Sequence, residues 1–332
     1  MTPMTHLPQA LPIAAGPLRL NLDETERSEL GLLADSLAMV EPRLIDDLKW
    51  LEEARSLSCR LPVRLREVIR RYRHDPAEDG ILILGNLPVD EHRLPDTPTV
   101  PESVERIAAA PSSLATLIGL QLGEIIAYRQ EKSGALVQNV VPVPGREFSQ
   151  SNAGSVPLEL HVENAFHPYR PDYVGLLCLR NDHTKTAGTL VSSIRRALQL
   201  LSEDDKAVLN QPRFVTAPPP SFHAGDATPV HAVLEGDLAD PNVQVDFSAT
   251  SALDDVAKLA MERLRDAFLE VSTSLVLQSG EMAFVDNRVA IHGRTAFTPR
   301  YDGRDRWLHR TFVHLDNRRS RSHRVGNGAV LV

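Results

Sequence analysis

The stretch LELHVENAFHPYRPDYV, residues 158–174, begins with the pattern of a strand and carries two candidate metal ligands. Its aliphatic residues alternate with polar ones, which is the period of a strand with one buried face. Side chains two residues apart in a strand lie on the same face, so His161 and Glu163 are predicted to project together, opposite the aliphatic residues. Such a pair is either two thirds of a metal site or a chance arrangement.

The His-x-acid spacing is weak support by itself. The chain has 12 His and 44 acidic residues among 332, so roughly two such pairs are expected by chance. The second pair is His314 with Asp316. Too little chain follows His314 to supply further ligands, so His314 is predicted to be structural. The value of the first pair depends on what distant segments bring to it.

A second imidazole comes from GEMAFVDNRVAIHGR, residues 280–294, where His292 ends an apolar strand. Two imidazoles and one carboxylate on one face of the metal are the ligand set of Fe(II) oxygenases, which leave positions open for cosubstrate and O2. Further along, Arg306, Leu308 and Arg310 share one strand face. Two buried guanidinium groups are costly without anionic partners. A dicarboxylate cosubstrate and an amino-acid substrate would satisfy both.

The bulk composition excludes several classes of function. The chain is 42% hydrophobic and 24% charged, with a net charge of -8, which argues against nucleic acid as the main partner. The two cysteines, Cys59 and Cys178, cannot form a disulfide framework or a thiolate metal site, which suits a reducing cytoplasm. No apolar run approaches the length of a membrane span. We therefore expect a cytoplasmic protein that binds neither nucleic acid nor membrane.

Short strand-like runs dominate the chain from about residue 130 onward, separated by Pro- and Gly-containing turns. This arrangement predicts a β-sandwich or a jelly roll. A helix is predicted from about 105 to 127. Residues 210–229 have no periodicity and are predicted to form a long loop of the kind that often covers an active site.

Two long segments carry a specific resemblance: HVENAFHPYRPDYVGLLCLR, residues 161–180, and VDNRVAIHGRTAFTPRYDGRDRWLHRTFV, residues 285–313. They resemble the clavaminate synthase-like group of Fe(II)/2-oxoglutarate-dependent oxygenases. Within the group, the likeness is greatest to the hydroxylases of free asparagine, followed by those of arginine. It extends from about residue 79 to about 321.

The resemblance implies a mixed α/β fold with a mainly β core, built as a double-stranded β-helix, or jelly roll, with flanking helices. Residues 1–20 are expected to be loose. Residues 21–332 are expected to form a single oxygenase domain, with a helical N-terminal part at about 21–78 and the jelly-roll core at about 79–321.

The resemblance also implies the residues that bind metal and cosubstrate. His161, Glu163 and His292 would bind Fe(II) and so form the catalytic centre. Arg306 would pair with the distal carboxylate of 2-oxoglutarate. Thr189 corresponds to a hydroxyl that contacts the same cosubstrate, and O2 would be the second cosubstrate.

The substrate residues follow from the same resemblance. Arg310 would hold the substrate carboxylate through a two-pronged, charge-assisted contact. Glu131 would take the substrate ammonium. Asn152 and Asn164 correspond to positions around the substrate, and Asp246 to an acid that recognises its side chain.

The activity implied is hydroxylation of a free amino acid at C3, because anchoring both α-substituents leaves C3 closest to the metal. One acid at Asp246, where the arginine enzymes have two, favours L-asparagine or a similar polar amino acid, in nonribosomal peptide or antibiotic precursor biosynthesis. Citrulline, arginine, lysine, a cyclic imino acid such as pipecolate, and a carrier-bound residue stay open as substrates. A homodimer is left open as its assembly.

Two other classes of function are compatible with part of this pattern. A zinc hydrolase could use two His and one Glu, but it needs no paired arginines, and the chain has no HExxH motif. A non-catalytic amino-acid sensor with the same fold would bind 2-oxoglutarate without consuming it.

Overall fold

The computed structural model describes residues 16–222 and 229–332. Its helices over these ranges are α1 (Glu24–Ala38), α2 (Leu48–Ser58), α3 (Val63–His74), α4 (Ala110–Leu122), α5 (Ile194–Ala197), α6 (Glu203–Leu209) and α7 (Asp255–Glu270). Its strands are β1 (Leu18–Asn21), β2 (Ile81–Gly85), β3 (Val104–Glu105), β4 (Glu124–Tyr128), β5 (Val137–Val140), β6 (Leu158–His161), β7 (Tyr173–Arg180), β8 (Thr189–Ser193), β9 (Phe214–Thr216), β10 (Leu234–Glu235), β11 (Asn242–Val243), β12 (Thr250–Ala252), β13 (Thr273–Leu275), β14 (Met282–Asp286), β15 (Ala290–Arg294), β16 (Trp307–His314) and β17 (Val330–Leu331).

Two mainly antiparallel sheets form the β core. The larger sheet has the order β1-β2-β14-β7-β16-β4-β17, and β5 also pairs with β16 and with β3. The smaller sheet has the order β13-β8-β15-β6. Two short pairs, β10-β11 and β9-β12, lie apart from both sheets. The fold is therefore mixed α/β with a mainly β core, as predicted.

The larger sheet is buried on both faces, which explains its nearly continuous apolar strands. In β2, Leu82 and Leu84 pack in a cluster with α1 to α4, whereas Ile81 and Ile83 pack against Val191 of the smaller sheet. Alternate side chains of a strand point to opposite faces, so the same strand serves both layers. Helices therefore cover one face of the larger sheet, and the smaller sheet faces the other.

Strand β16 follows the same alternation and carries Arg310, and Arg306 lies directly before it. Trp307 and Val313 belong to the core beneath the helices. Leu308 and Phe312 belong to a cluster on the opposite face. Arg310 lies between Leu308 and Phe312 in this alternation and therefore points into the space between the sheets.

The N-terminal helices begin at acidic caps. Asp23 accepts hydrogen bonds from the backbone of Glu26 at 2.9 Å, and the Glu26 side chain accepts from the backbone of Asp23 at 3.0 Å, which forms a capping box at α1. Asp47 caps α2 in the usual way. Trp50 of α2 is fully buried, and its indole donates to the carbonyl of Leu37 at 3.0 Å. These contacts join α1 and α2 into one layer.

Two predicted boundaries need correction, the start of the domain and the end of its jelly-roll core. Residues 18–20 are not part of a loose N-terminus as predicted, because they belong to β1, which pairs in parallel with β2. Near the C-terminus, β17 pairs in parallel with β4, so the larger sheet continues past the predicted end of the jelly-roll core at about 321. Residues 1–15 lie outside the described part of the chain.

The helix predicted from about 105 to 127 is wrong in extent, since α4 ends at Leu122 and Glu124–Tyr128 form β4. A side chain at Gly123 would place its Cβ 2.1 Å from the carbonyl oxygen of His314. Only glycine allows this close approach, which lets β4 pair with β16 directly after the helix.

The loop predicted at 210–229 is also interrupted, because β9 forms within it and pairs with β12. Residues 223–228 of that loop lie outside the described part. Among the described helices, none combines the length and apolar character needed to cross a membrane.

Candidate active site

Three candidate metal ligands meet where β6 pairs with β15. His161 and His292 are direct partners in the strand register, and their ring centroids lie 4.5 Å apart. Oε2 of Glu163 lies 3.4 Å from Nε2 of His292. One potential ligand atom from each of the three lies within 4.8 Å of the others. The three side chains converge as predicted.

One detail of the prediction is wrong, because β6 ends at His161 and Glu163 lies in the turn that follows. The side chain of Asn287 fixes this turn. It accepts a hydrogen bond from the backbone of Glu163 at 2.8 Å and donates to its carbonyl at 3.1 Å. Asn287 was not predicted, although its position directly after the apolar strand β14 was a signal for it.

The three residues fit a divalent transition metal. Nδ1 of His161 lies 2.8 Å from the carbonyl oxygen of Glu159, which leaves its Nε2 for a metal. Oε2 of Glu163 is buried without a hydrogen-bond partner among the described residues. Burial lowers the pKa of His292, with a further contribution from His161, which favours the neutral form that binds metal. Two imidazoles and one carboxylate are the donor set of an Fe(II) oxygenase.

A second cluster with ligand spacing, His183 with Asp302 and Asp305, fits a metal less well. Both carboxylate oxygens of Asp305 accept backbone hydrogen bonds from the preceding turn. Asp302 is exposed. This cluster is better described as a loop contact.

Arg310 lies at the centre of a buried network of charges. Its Nη1 donates to Oε1 of Glu163 at 3.0 Å, and its Nη2 donates to Glu131. Gln138, its register partner on β5, accepts from Nε at 3.2 Å. With its amide oriented to satisfy the hydrogen bonds, Asn152 accepts from Nη1 and Nη2 at 3.1 and 2.9 Å. Gln138 was not predicted, since nothing in its own segment indicates its partner.

The two carboxylates beside Arg310 respond differently to their surroundings. Burial raises the pKa of Glu163, but Arg310 and His292 outweigh it and hold this pKa well below its ordinary value. For Glu131, burial together with the charge of Glu163 outweighs Arg310, and its pKa is raised. The carboxylate of Glu163 is thus ionised and able to bind a metal. A second cation beside Glu131 would stabilise the ionised form of that carboxylate.

Arg306 and Thr189 line a cavity together with the three candidate metal ligands. Arg306 is 5% exposed, and its Nη2 donates to the Thr189 hydroxyl at 3.4 Å. Arg306 forms no salt bridge within residues 16–222 and 229–332. Burial lowers its pKa. A buried cation with one neutral partner is poised for an anionic ligand.

Arg294 also lines this region, and it was not predicted. It is 4% exposed, and burial together with the charge of Arg306 lowers its pKa to about 10. The Cζ atoms of Arg294 and Arg306 each lie 5.9 Å from the centroid of the Phe297 ring.

Two further residues predicted to bind the substrate, Asn164 and Asp246, differ in their hydrogen bonds. Asn164, at a positive φ of 52°, donates to Oε2 of Glu131 at 3.3 Å. Oδ1 of Asp246 accepts from the backbone and the hydroxyl of Ser248 at 2.8 and 2.6 Å. Asp246 thus closes its own turn with one oxygen, and its other oxygen is free of protein hydrogen bonds in the described part of the chain. His314, predicted to be structural, has Nε2 3.0 Å from the carbonyl oxygen of Tyr169.

All ten predicted site residues line two adjoining cavities. The outer cavity, about 450 Å³, has a size typical of small-molecule sites. Its predicted lining residues are Glu131, Asn152, His161, Glu163, Asn164, Asp246 and Arg310. The inner cavity shares four of these and adds Thr189, His292 and Arg306. Two of the candidate metal ligands, His161 and Glu163, therefore line both cavities, and the inner cavity adds the buried guanidinium group of Arg306.

Known proteins resemble this chain over nearly all of its length. L-asparagine oxygenase of Streptomyces coelicolor is 45% identical over 322 residues, covering 96% of this chain and 97% of the relative. Clavaminate synthase 2 of Streptomyces clavuligerus is 36% identical, covering 87% and 90%. L-lysine 3-hydroxylase of Catenulispora acidiphila is 33% identical, covering 94% and 88%.

Solved structures agree with these relatives. Asparagine oxygenase in complex with Fe(II), 2S,3S-3-hydroxyasparagine and succinate matches with a TM-score of 0.91 and 45% identity, covering 94% of this chain and 98% of that one. The non-heme iron oxygenase OrfP in complex with Fe and alpha-ketoglutaric acid matches with a TM-score of 0.86 and 32% identity, covering 95% and 100%. The sequence model of a protein family, described as "Taurine catabolism dioxygenase TauD, TfdA family", matches residues 77–312. This chain belongs to the TauD/TfdA family of Fe(II)- and 2-oxoglutarate-dependent dioxygenases, which confirms the predicted resemblance.

Proposed function

We propose that this protein hydroxylates C3 of a free polar amino acid, L-asparagine first among the candidates. One observation carries the proposal: Arg310 and Glu131, of opposite charge, meet in the outer cavity beside the metal ligand Glu163. A free amino acid carries one carboxylate and one ammonium on the same carbon, so it complements this pair.

The α-substituents can exchange partners with the protein without leaving a buried charge alone. Arg310 would turn its guanidinium to the substrate carboxylate in a bidentate contact. Glu131 would then accept the ammonium, and the amide oxygen of Asn152 would remain beside Arg310. Holding the α-carbon at two points fixes the orientation of the substrate, and C3 is the next carbon toward the metal ligands.

The acidic residues that line the outer cavity favour a substrate with a neutral side chain. Of those that line it, Glu131 and Glu163 contact Arg310, and Glu159 is paired with an arginine at the surface. Asp246 is left, with one oxygen engaged by Ser248. A single remaining oxygen can accept one N–H of a carboxamide, whereas a guanidinium needs more acceptors. L-asparagine oxygenase, at 45% identity, supports the same choice.

The metal and cosubstrate would occupy the remaining positions. His161, Glu163 and His292 would hold Fe(II), and Arg306 with Thr189 would bind the distal carboxylate of 2-oxoglutarate. When bound, the iron supplies the O2-dependent oxidation of an unactivated C–H bond, with 2-oxoglutarate converted to succinate and CO2. The protein's own residues fix which C–H bond is presented.

We also propose that residues 18–332 act as one oxygenase domain, whose two facing sheets form a double-stranded β-helix behind a helical N-terminal part. A homodimer, a cytoplasmic location and a role in nonribosomal peptide or antibiotic precursor biosynthesis stay predictions.

The test is succinate formation by the anaerobically purified protein, given Fe(II), 2-oxoglutarate and O2. The amino acids offered would be L-asparagine, L-glutamine, citrulline, arginine, lysine and pipecolate, together with asparagine methyl ester as a mimic of a carrier-bound residue. Mass spectrometry would detect a product one oxygen atom heavier, and NMR would locate the hydroxyl group.

We expect L-asparagine to give the tightest coupling of succinate to hydroxylated product, with loss of both in His161→Ala. Preference for the ester would contradict the free-amino-acid proposal. Binding of 2-oxoglutarate without turnover on any compound would instead favour a sensor.

A further inference from the structure

Arg294 ends strand β15, two residues after His292, and its register partner on β8 is Thr189. This pairing brings its side chain to the inner cavity, which it lines together with Thr189 and Arg306. Arg294 therefore lies in the cosubstrate part of the site proposed above.

The guanidinium of Arg294 also holds a segment of the outer cavity. Its Nη1 donates to the carbonyl of Ser151 at 3.1 Å, and its Nη2 donates to the carbonyl of Val156 at 3.0 Å. The two carbonyls enclose the segment that carries Asn152. A Cβ at Gly154 would lie 3.1 Å from Nη2 of Arg294, so the segment is packed closely against this guanidinium. Arg294 thus joins the two cavities physically.

The electrostatics of Arg294 point to an anion. Arg294 and Arg306 are 4% and 5% exposed, and neither forms a salt bridge within the described ranges. Nε of Arg294 is buried without a hydrogen-bond partner among those residues. Two neighbouring buried cations with only neutral partners repel each other and lack a counter-ion. A dicarboxylate in the inner cavity would relieve both costs.

We propose that Arg294 is a positioning residue that couples the cosubstrate to the amino-acid pocket. Its charge stabilises the distal carboxylate of 2-oxoglutarate beside Arg306. Its two hydrogen bonds hold residues 151–156 so that Asn152 stays on Arg310. This inference rests on the proposed function, in which 2-oxoglutarate binds at Arg306.

Two substitutions separate the two tasks. Arg294→Met removes the charge and the hydrogen bonds, whereas Arg294→Lys keeps the charge but loses the planar fork that reaches two carbonyls. Calorimetry would measure 2-oxoglutarate binding to protein loaded with Mn(II), and then L-asparagine binding to that complex. We expect the Kd for 2-oxoglutarate to rise about tenfold in Arg294→Met and to stay within about threefold in Arg294→Lys. L-asparagine affinity should fall in both variants.

The outcomes separate failure of this inference from failure of the proposed function. Arg306→Met serves as the reference, and it should abolish 2-oxoglutarate binding. If it does not, the proposed cosubstrate site is wrong. If it does, but Arg294→Met binds 2-oxoglutarate normally, Arg294 is only a structural contact and the coupling is refuted. Melting curves would verify folding, and Arg294→Gln would replace a methionine variant that does not fold.

Discussion

Nη1 of Arg310 lies 3.0 Å from Oε1 of Glu163, so the proposed substrate anchor and a proposed iron ligand are in direct contact. The other carboxylate oxygen of Glu163 faces His292 at 3.4 Å. One carboxylate therefore serves both halves of the site, with Oε1 for the arginine and Oε2 for the metal. Any change in the position of Glu163 should therefore alter iron binding and substrate binding together.

Asn287 offers a test of how the position of Glu163 is fixed. It is fully buried and contacts both backbone polar groups of Glu163. Because residues that orient a metal ligand contribute to metal affinity, Asn287→Ala should weaken iron binding by about 10–100-fold. Anaerobic calorimetric titration with Fe(II) measures it.

A matched control is Asn139→Ala, which removes another buried amide whose partners, including Trp307, lie outside the cavities. It should lower stability and leave iron affinity intact. Equal losses of iron affinity in the two variants would count against a specific role for Asn287.

Gln138 is expected to set the orientation of Arg310. It is the neutral partner of Arg310 on β5, and the residue is 1% exposed. Gln138→Leu leaves Nε of Arg310 without its acceptor, and an unsatisfied buried donor costs about 1–3 kcal/mol. The KM for the amino acid should therefore rise about tenfold, while the KM for 2-oxoglutarate stays unchanged.

The same substitution at Gln121, which bonds the carbonyl of Ser58 on the helical side, serves as the control for Gln138→Leu. It should leave both KM values unchanged. A parallel rise in the two KM values of the Gln138 variant would argue for general damage to the site rather than loss of orientation.

The fold class could be predicted from local strand patterns, and the candidate metal ligands from a resemblance that two long segments carry. The alternation in β16 and the motif around His161 appear within short stretches of sequence. Gln138 could not be found this way, because it meets Arg310 only through the pairing of β5 with β16. Register between distant strands is set by the packing of the whole sheet, so a residue that functions through it carries no signal of its own.

The two cysteines should differ sharply in reactivity. Cys59 is exposed, whereas Cys178 is 1% exposed and burial raises the pKa of its thiol to about 12. Since the thiolate is the reactive species, a disulfide reagent at pH 8 should modify one thiol per chain quickly and the second only after denaturation. Cys59→Ser should show no fast reaction. A fast reaction of Cys178 in the folded protein would contradict its burial.

Lys132 should make stability depend on pH above neutrality. It is partly buried beside Glu131, and its ammonium donates to the carbonyls of Ser103 and Asn139 at 3.2 and 2.5 Å. Burial, with the charge of Arg310, lowers its pKa from 10.5 to about 8. Between these values the unfolded chain binds more protons than the folded one, so the lysine's contribution to stability rises with pH in that window.

Lys132→Met removes this titration. Relative to the variant, the native protein should gain on the order of 2 kcal/mol in free energy of unfolding between pH 8 and pH 10. Urea unfolding at several pH values in this window measures the difference. Lys49→Met, at an exposed position, should track the native protein throughout. Parallel curves for Lys132→Met and the native protein would mean that the folded chain keeps Lys132 solvated and charged, and that its burial beside the substrate pocket has no energetic consequence.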